Sequence, residues 1–102
     1  MEKVMNGVTV TFDNEGYLNE FSDWNKEVAQ AMAEEENITL TDDHWKVLEY
    51  LRKQYEEGSS LSIRSIGKSG VVSIKEFYTL FPEGPLKKAS RIAGIPKPKS
   101  CI

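Results

Sequence analysis

The chain has 102 residues, 39% hydrophobic and 28% charged, with a net charge of −3, the profile of one modest globular domain. No apolar stretch approaches the roughly 20 residues that span a bilayer, and the N-terminal MEKVMNGVTVTF lacks the apolar core of a signal peptide; a cytoplasmic location is expected. One cysteine, Cys101, rules out an intramolecular disulfide, and with His44 as the one histidine neither a metal site nor a cofactor is expected.

In chain order, Val8-Thr9-Val10-Thr11-Phe12 alternates apolar and polar residues, as a half-buried strand does. Asp13-Asn14-Glu15-Gly16 is a turn, and Tyr17-Leu18 begins a second short strand, so residues 4–18 read as a hairpin. Ser22 suits an N-cap, with Asp23 in the first turn. Trp24, Val28, Ala31 and Met32 then fall on one helical face. Glu34-Glu35-Glu36 reads as a solvated, fraying end, and Asn37 as the exit. Thr41 caps the longest helix, about residues 42–57. Its Trp45, Leu48, Leu51, Arg52 and Tyr55 recur at spacings of three and four, and Gly58 closes it. His44, at its third position, reads as structural.

After the Gly58-Ser59-Ser60 loop, residues 61–66 predict a short helix stopped near Gly67 or Gly70. Ser73-Ile74-Lys75-Glu76 is a capping box that opens a helix through Phe77 and Phe81. Two short helices joined by a glycine-containing turn resemble a helix-turn-helix. Pro82-Glu83-Gly84 breaks the chain, and Pro85 suits the first position of a last helix. That helix has Leu86, Ala89, Ile92 and Ala93 inward and Lys87, Lys88 and Arg91 outward, with Gly94 at its end.

Ile95-Pro96-Lys97-Pro98-Lys99-Ser100-Cys101-Ile102 cannot be helical with prolines at alternate positions. It reads as a mobile arm over residues 95–102, following a single domain over 1–94. Fully extended, seven residues carry Cys101 roughly 20 Å beyond Gly94 at about 3.1 Å per residue. A thiol attacks or accepts sulfur as the thiolate, which Lys97 and Lys99 favour and the terminal carboxylate opposes. Charge is uneven along the chain. Residues 1–57 hold 14 acids and 5 bases, and residues 58–102 hold 2 acids and 8 bases. Two readings stand: the basic half faces an anionic partner or group, or the halves attract each other within the fold.

The chain resembles the DsrC/TusE family of small sulfur-trafficking proteins over nearly its whole length. The matching residues are Gly16-Tyr17-Leu18, Trp24, Leu40-Thr41-Asp42-Asp43-His44-Trp45, Leu51-Arg52, Ile63-Arg64 with Lys68, and Phe81-Pro82-Glu83-Gly84-Pro85. The most specific are Ala93-Gly94-Ile95-Pro96-Lys97-Pro98 and Cys101-Ile102. The resemblance implies an α+β fold: an N-terminal β-hairpin packed on a small helical bundle, with a helix-turn-helix-like segment and a flexible C-terminal arm. It implies that Cys101 accepts a persulfide and passes it on, and it maps basic positions near the arm to Arg64 and Lys68. The implied partners are sulfur-donor and sulfur-acceptor proteins of a relay, in the direction of tRNA 2-thiouridine or another acceptor.

Two departures qualify the resemblance. Members that partner dissimilatory sulfite reductase carry a second cysteine eleven residues before the penultimate one, and here that position is Ser90. This disfavours a two-cysteine redox cycle and favours a single-cysteine, TusE-like carrier. The stretch between Arg64 and Phe81 is also shorter than in tRNA-thiolation members. Three functions therefore compete. A sulfur carrier leads, with no catalytic constellation of its own apparent. A gamma-subunit-like partner of sulfite reductase is the alternative. Nucleic-acid binding through residues 61–80 is disfavoured, since the candidate recognition helix 73–80 offers only Lys75, beside Glu76.

Overall fold

The computed structural model describes residues 2–5, 8–59 and 62–96. Strand β1, Glu2–Met5, pairs antiparallel with β2, Val8–Thr11, in the register Glu2↔Thr11 and Met5↔Val8. Alternation then turns Val10 into the core, and Phe12 follows it there. The Asp13 carboxylate accepts the backbone N–H groups of Glu15 and Tyr17 and closes the next turn. Phe12 and Leu18 form a single bridge across that turn. The expected hairpin over 4–18 is therefore shifted: the strand partner of 8–11 is 2–5, and Tyr17-Leu18 adds one bridge. Asn6-Gly7, between the two strands, is the sequence signal for that pairing.

Phe21–Asp23 forms one 3₁₀ turn, and α1, Lys26–Glu35, starts later than Ser22 predicts. Asn25 is the cap, its side chain accepting from Val28 N at 2.8 Å. Trp24 lies between these elements in extended backbone, which detaches it from the helix and frees its indole for a distant partner. Val28, Ala29, Met32 and Ala33 face the core. Asn37 ends the helix at a φ of +57°, while Ile38 N donates to Ala33 O and Asn37 N to Glu34 O, the paired bonds of a Schellman exit.

Helix α2, Asp42–Glu56, is capped by Thr41 as expected. His44 takes the place that Glu or Gln has in a capping box: its Nδ1 accepts from Thr41 N at 3.1 Å. That fixes the tautomer in which Nε2–H donates to Leu80 O, 2.8 Å away. His44 is buried, so it joins the start of α2 to Leu80, the last residue of a later helix, α4 (Ile74–Leu80). Val47, Leu48 and Leu51 bury the inner face, and Gly58 closes the helix at a φ of +75°.

Helices α3, Ile63–Ser69, and α4, Ile74–Leu80, make the helix-turn-helix-like unit. Helix α3 passes Gly67 and stops at Gly70. The Ser73–Glu76 capping box forms in both directions, at 3.1 and 3.2 Å. Gly67 lets the two helices close: a Cβ there would lie 2.6 Å from Ile74 Cγ1. Helix α5, Pro85–Ile92, opens with proline at its first turn and contacts α1, α2 and α4. Its Leu86, Ala89 and Ile92 meet Met32, Leu48, Leu51, Phe77 and Phe81 in one core, which runs on to Ile95. The fold is α+β, a small hairpin on a helical bundle.

Candidate functional site

The C-terminal end of α5 leaves backbone carbonyls without helical partners. Two side chains far away in sequence take them up. Trp24 Nε1–H donates to Ile92 O at 2.7 Å. Arg52 donates from Nη1 to Ala93 O at 2.8 Å and from Nη2 to Phe21 O at 2.9 Å. The Arg52 guanidinium lies 3.7 Å from the Phe21 ring centroid and 4.3 Å from that of Trp24, so two aromatic faces replace its water. Burial lowers the Arg52 pKa below the ordinary arginine value, and the carboxylate of Glu56 opposes that shift. A cation at the negative end of the α5 dipole is favourable.

Gly94 turns the chain out of α5 at a φ of +70°. A Cβ at this position would stand 2.5 Å from Trp24 Cδ1, so glycine is needed both for the left-handed backbone and for the indole above it. Ile95 N donates to Ser90 O, and the Ile95 side chain is buried. The backbone is thus fixed through Ile95, and Pro96 is exposed. Trp24 and Arg52 are matched residues of the sequence resemblance, but their joint grip on α5 is not visible in sequence. The available signal was an arginine set within the apolar spacing of α2.

The cations on α5 divide. Arg91 donates from Nε to Gly16 O at 3.0 Å and pairs with Glu35 at 2.7 Å and with Glu36. Lys88 lies 4.0 Å from Glu36. The end of α1, expected to be solvated and frayed, instead holds two acids against α5, because Arg91 supplies a partly buried counter-charge. A recess of about 190 Å³ lined by Glu15, Tyr17, Glu36, Lys87, Lys88 and Arg91 marks this junction. Here the two oppositely charged halves of the chain attract each other within the fold.

Arg64 and Lys68 sit one turn apart on α3, both exposed. With Gly67, Ser73 and Ile74 they line a groove of about 430 Å³. Among the described residues neither has an ion-pair partner, so Arg64 makes no pair with an N-terminal acid. Cys101 and Lys97 lie outside the described residues. Ser90 is fully buried, and its Oγ has no hydrogen-bond partner among the described residues. Among those residues no cluster of three His, Cys, Asp or Glu side chains could hold a metal, and no helix is long and apolar enough to cross a membrane.

A family model described as DsrC like protein matches residues 4–102. The chain is 48% identical over 99 residues to sulfurtransferase TusE of Buchnera aphidicola subsp. Acyrthosiphon pisum, covering 88% of this chain and 86% of that one. It is 40% identical over 107 residues to sulfurtransferase TusE of Photorhabdus laumondii, covering 97% and 96%. Among solved structures, the DsrC of Allochromatium vinosum superposes with a TM-score of 0.83 at 38% identity, with all of both chains covered. The oxidized gamma-subunit of the dissimilatory sulfite reductase from Archaeoglobus fulgidus does so with a TM-score of 0.83 at 35% identity, again over all of both chains.

Two substitutions test this geometry. Gly94→Ala combines a left-handed β-carbon with a collision against Trp24 and lowers unfolding stability by about 2–4 kcal/mol, read as a lower urea midpoint at unchanged slope. Ser90→Ala removes a buried hydroxyl that has no partner among the described residues and raises stability by up to about 1 kcal/mol, read as a higher midpoint in the same titration.

Proposed function

The chain belongs to the DsrC-like family, and from that membership we propose that it is a sulfur carrier working through Cys101. The observation that carries this reading is near-full-length similarity to proteins named sulfurtransferase TusE, in a chain whose one thiol is the penultimate residue. The thiolate of Cys101 attacks the outer sulfur of a donor persulfide. The donor's S–S bond breaks, its cysteine leaves as thiolate, and a new S–S bond forms on Cys101 with no net oxidation. Handing the sulfur on repeats the step, with Cys101 now the leaving thiolate.

On this reading a body, residues 1–94, carries an arm, 95–102, whose first residue, Ile95, is still packed in the core. Lys97 favours the anionic sulfur from the arm, and Arg64 and Lys68 are two exposed cations of the body open to an anion. Ser90 cannot form a disulfide with Cys101, so a transferred sulfur has to leave to a second molecule. Donor and acceptor proteins of a relay are therefore the partners, and a route toward tRNA 2-thiouridine fits the TusE likeness. A subunit-like association with a dissimilatory sulfite reductase is the second reading. It draws on the likeness to the Archaeoglobus fulgidus gamma-subunit, and the serine at position 90 weighs against it.

Incubation with a cysteine desulfurase and relay donors adds the mass of one sulfur atom at Cys101, read by intact and peptide mass spectrometry. Cys101→Ala gains none. A Cys101→Ala protein that still transfers sulfur at the wild-type rate refutes the proposal.

A further inference from the structure

The α3–α4 unit carries a surface that the sulfur chemistry alone does not account for. Ile74 and Tyr78 are each 44% exposed and lie four residues apart, so they adjoin on one side of α4. Ile74 also lines the groove shared with Arg64 and Lys68, which makes apolar and cationic surface continuous. Lys75 is exposed beside them. Of the eight bases in residues 58–102, Lys88 and Arg91 are engaged with α1. Arg64, Lys68 and Lys75 have no ion-pair partner among the described residues. A protein with a net charge of −3 thus keeps three uncommitted cations around an exposed isoleucine and tyrosine.

We propose that this face docks an acidic protein partner, a surface with carboxylates around a small apolar centre. The proposal rests on the sulfur-carrier reading and names the kind of partner such a carrier meets. An apolar centre with a charged rim is the anatomy of a protein interface, and tyrosine is a frequent anchor there. Complementary charge also orients the encounter: the acidic N-terminal half repels such a partner and this face attracts it. Nucleic acid fits less well. Three cations fall short of the roughly 6–10 phosphate contacts of a typical site, and Glu76 stands in the first turn of α4.

The test is amide NMR of the full chain titrated with three probes. They are an amphipathic helical peptide with glutamates around a Leu/Phe face, the same peptide with lysines for the glutamates, and a duplex RNA. The acidic peptide shifts the amides around Arg64, Gly67, Lys68, Ile74 and Tyr78, and the lysine peptide does not. Arg64→Gln with Lys68→Gln, both exposed, weakens the acidic peptide about tenfold, and Tyr78→Ser weakens it as well. No shifts localised to this face, unchanged affinity in the double variant, or stronger shifts from RNA at the same residues each overturns the docking proposal. Loading of wild-type Cys101 by inorganic polysulfide, read by intact mass, tests the carrier reading by itself. Its failure leaves the peptide result standing, and its success leaves a negative peptide result fatal to docking alone.

Discussion

The exit from α5 depends on how the last turn of that helix is held. Its carbonyls at Ile92 and Ala93 are taken by Trp24 and Arg52, residues from two other elements. Arg52 also binds Phe21 O and lies between two aromatic rings. Even a half-buried guanidinium is costly unless hydrogen bonds and ring faces replace the water it loses, and here both do. One cation therefore ties α2, the 3₁₀ turn and the exit of α5 into a single joint. Gly94 fits beneath the Trp24 indole because it has no side chain. These contacts set the direction in which the chain leaves α5 at Gly94.

Charge is used twice in this molecule. The acids at the end of α1 and the bases of α5 meet across the fold, with Arg91 also binding the Gly16 carbonyl. That contact links the turn after β2 to α5. It also removes Arg91 and Lys88 from the cations open to an outside anion. Of the described bases of the C-terminal half with no ion-pair partner among the described residues, Arg64, Lys68 and Lys75 lie on α3 and α4 and Lys87 lies on α5. The apolar pair Ile74 and Tyr78 lies on α4 too.

Local hydrogen bonding was legible in the sequence. The Ser73–Glu76 box, the Thr41 cap and the exits at Asn37, Gly58 and Gly94 all form where their residue types predict, because each is settled within a few residues. The helix-turn-helix-like pair and the α+β class follow from the same signals and from the family resemblance. Non-local choices were not legible. Ser22 and Asn25 are both sound caps, and Asn25 serves because Trp24 is held out by Ile92, 68 positions away. Glu35 and Glu36 look solvated until Arg91 is placed beside them. Arg52 reads as one more residue of an amphipathic helix, and only the packed structure makes it the joint. For the candidate site, Lys97 and Cys101 are sequence readings that lie outside the described residues. The groove at Arg64 and Lys68 took its shape from Gly67, whose missing side chain lets α4 approach.

On the proposed sulfur-carrier reading, a sulfur taken up at the one cysteine of the sequence, Cys101, has no second thiol on this chain to go to. With serine at position 90, a persulfide on Cys101, as proposed, would find no partner cysteine on the same chain to resolve it. The most direct measurement is a single-turnover chase of protein loaded at Cys101 with radiolabelled sulfur, with and without an acceptor protein of the host's relay. The label stays on Cys101 without acceptor and moves to the acceptor in equal amount when it is added. Label that leaves Cys101 for another position on the same chain, or that is released at the same rate without acceptor, contradicts the account.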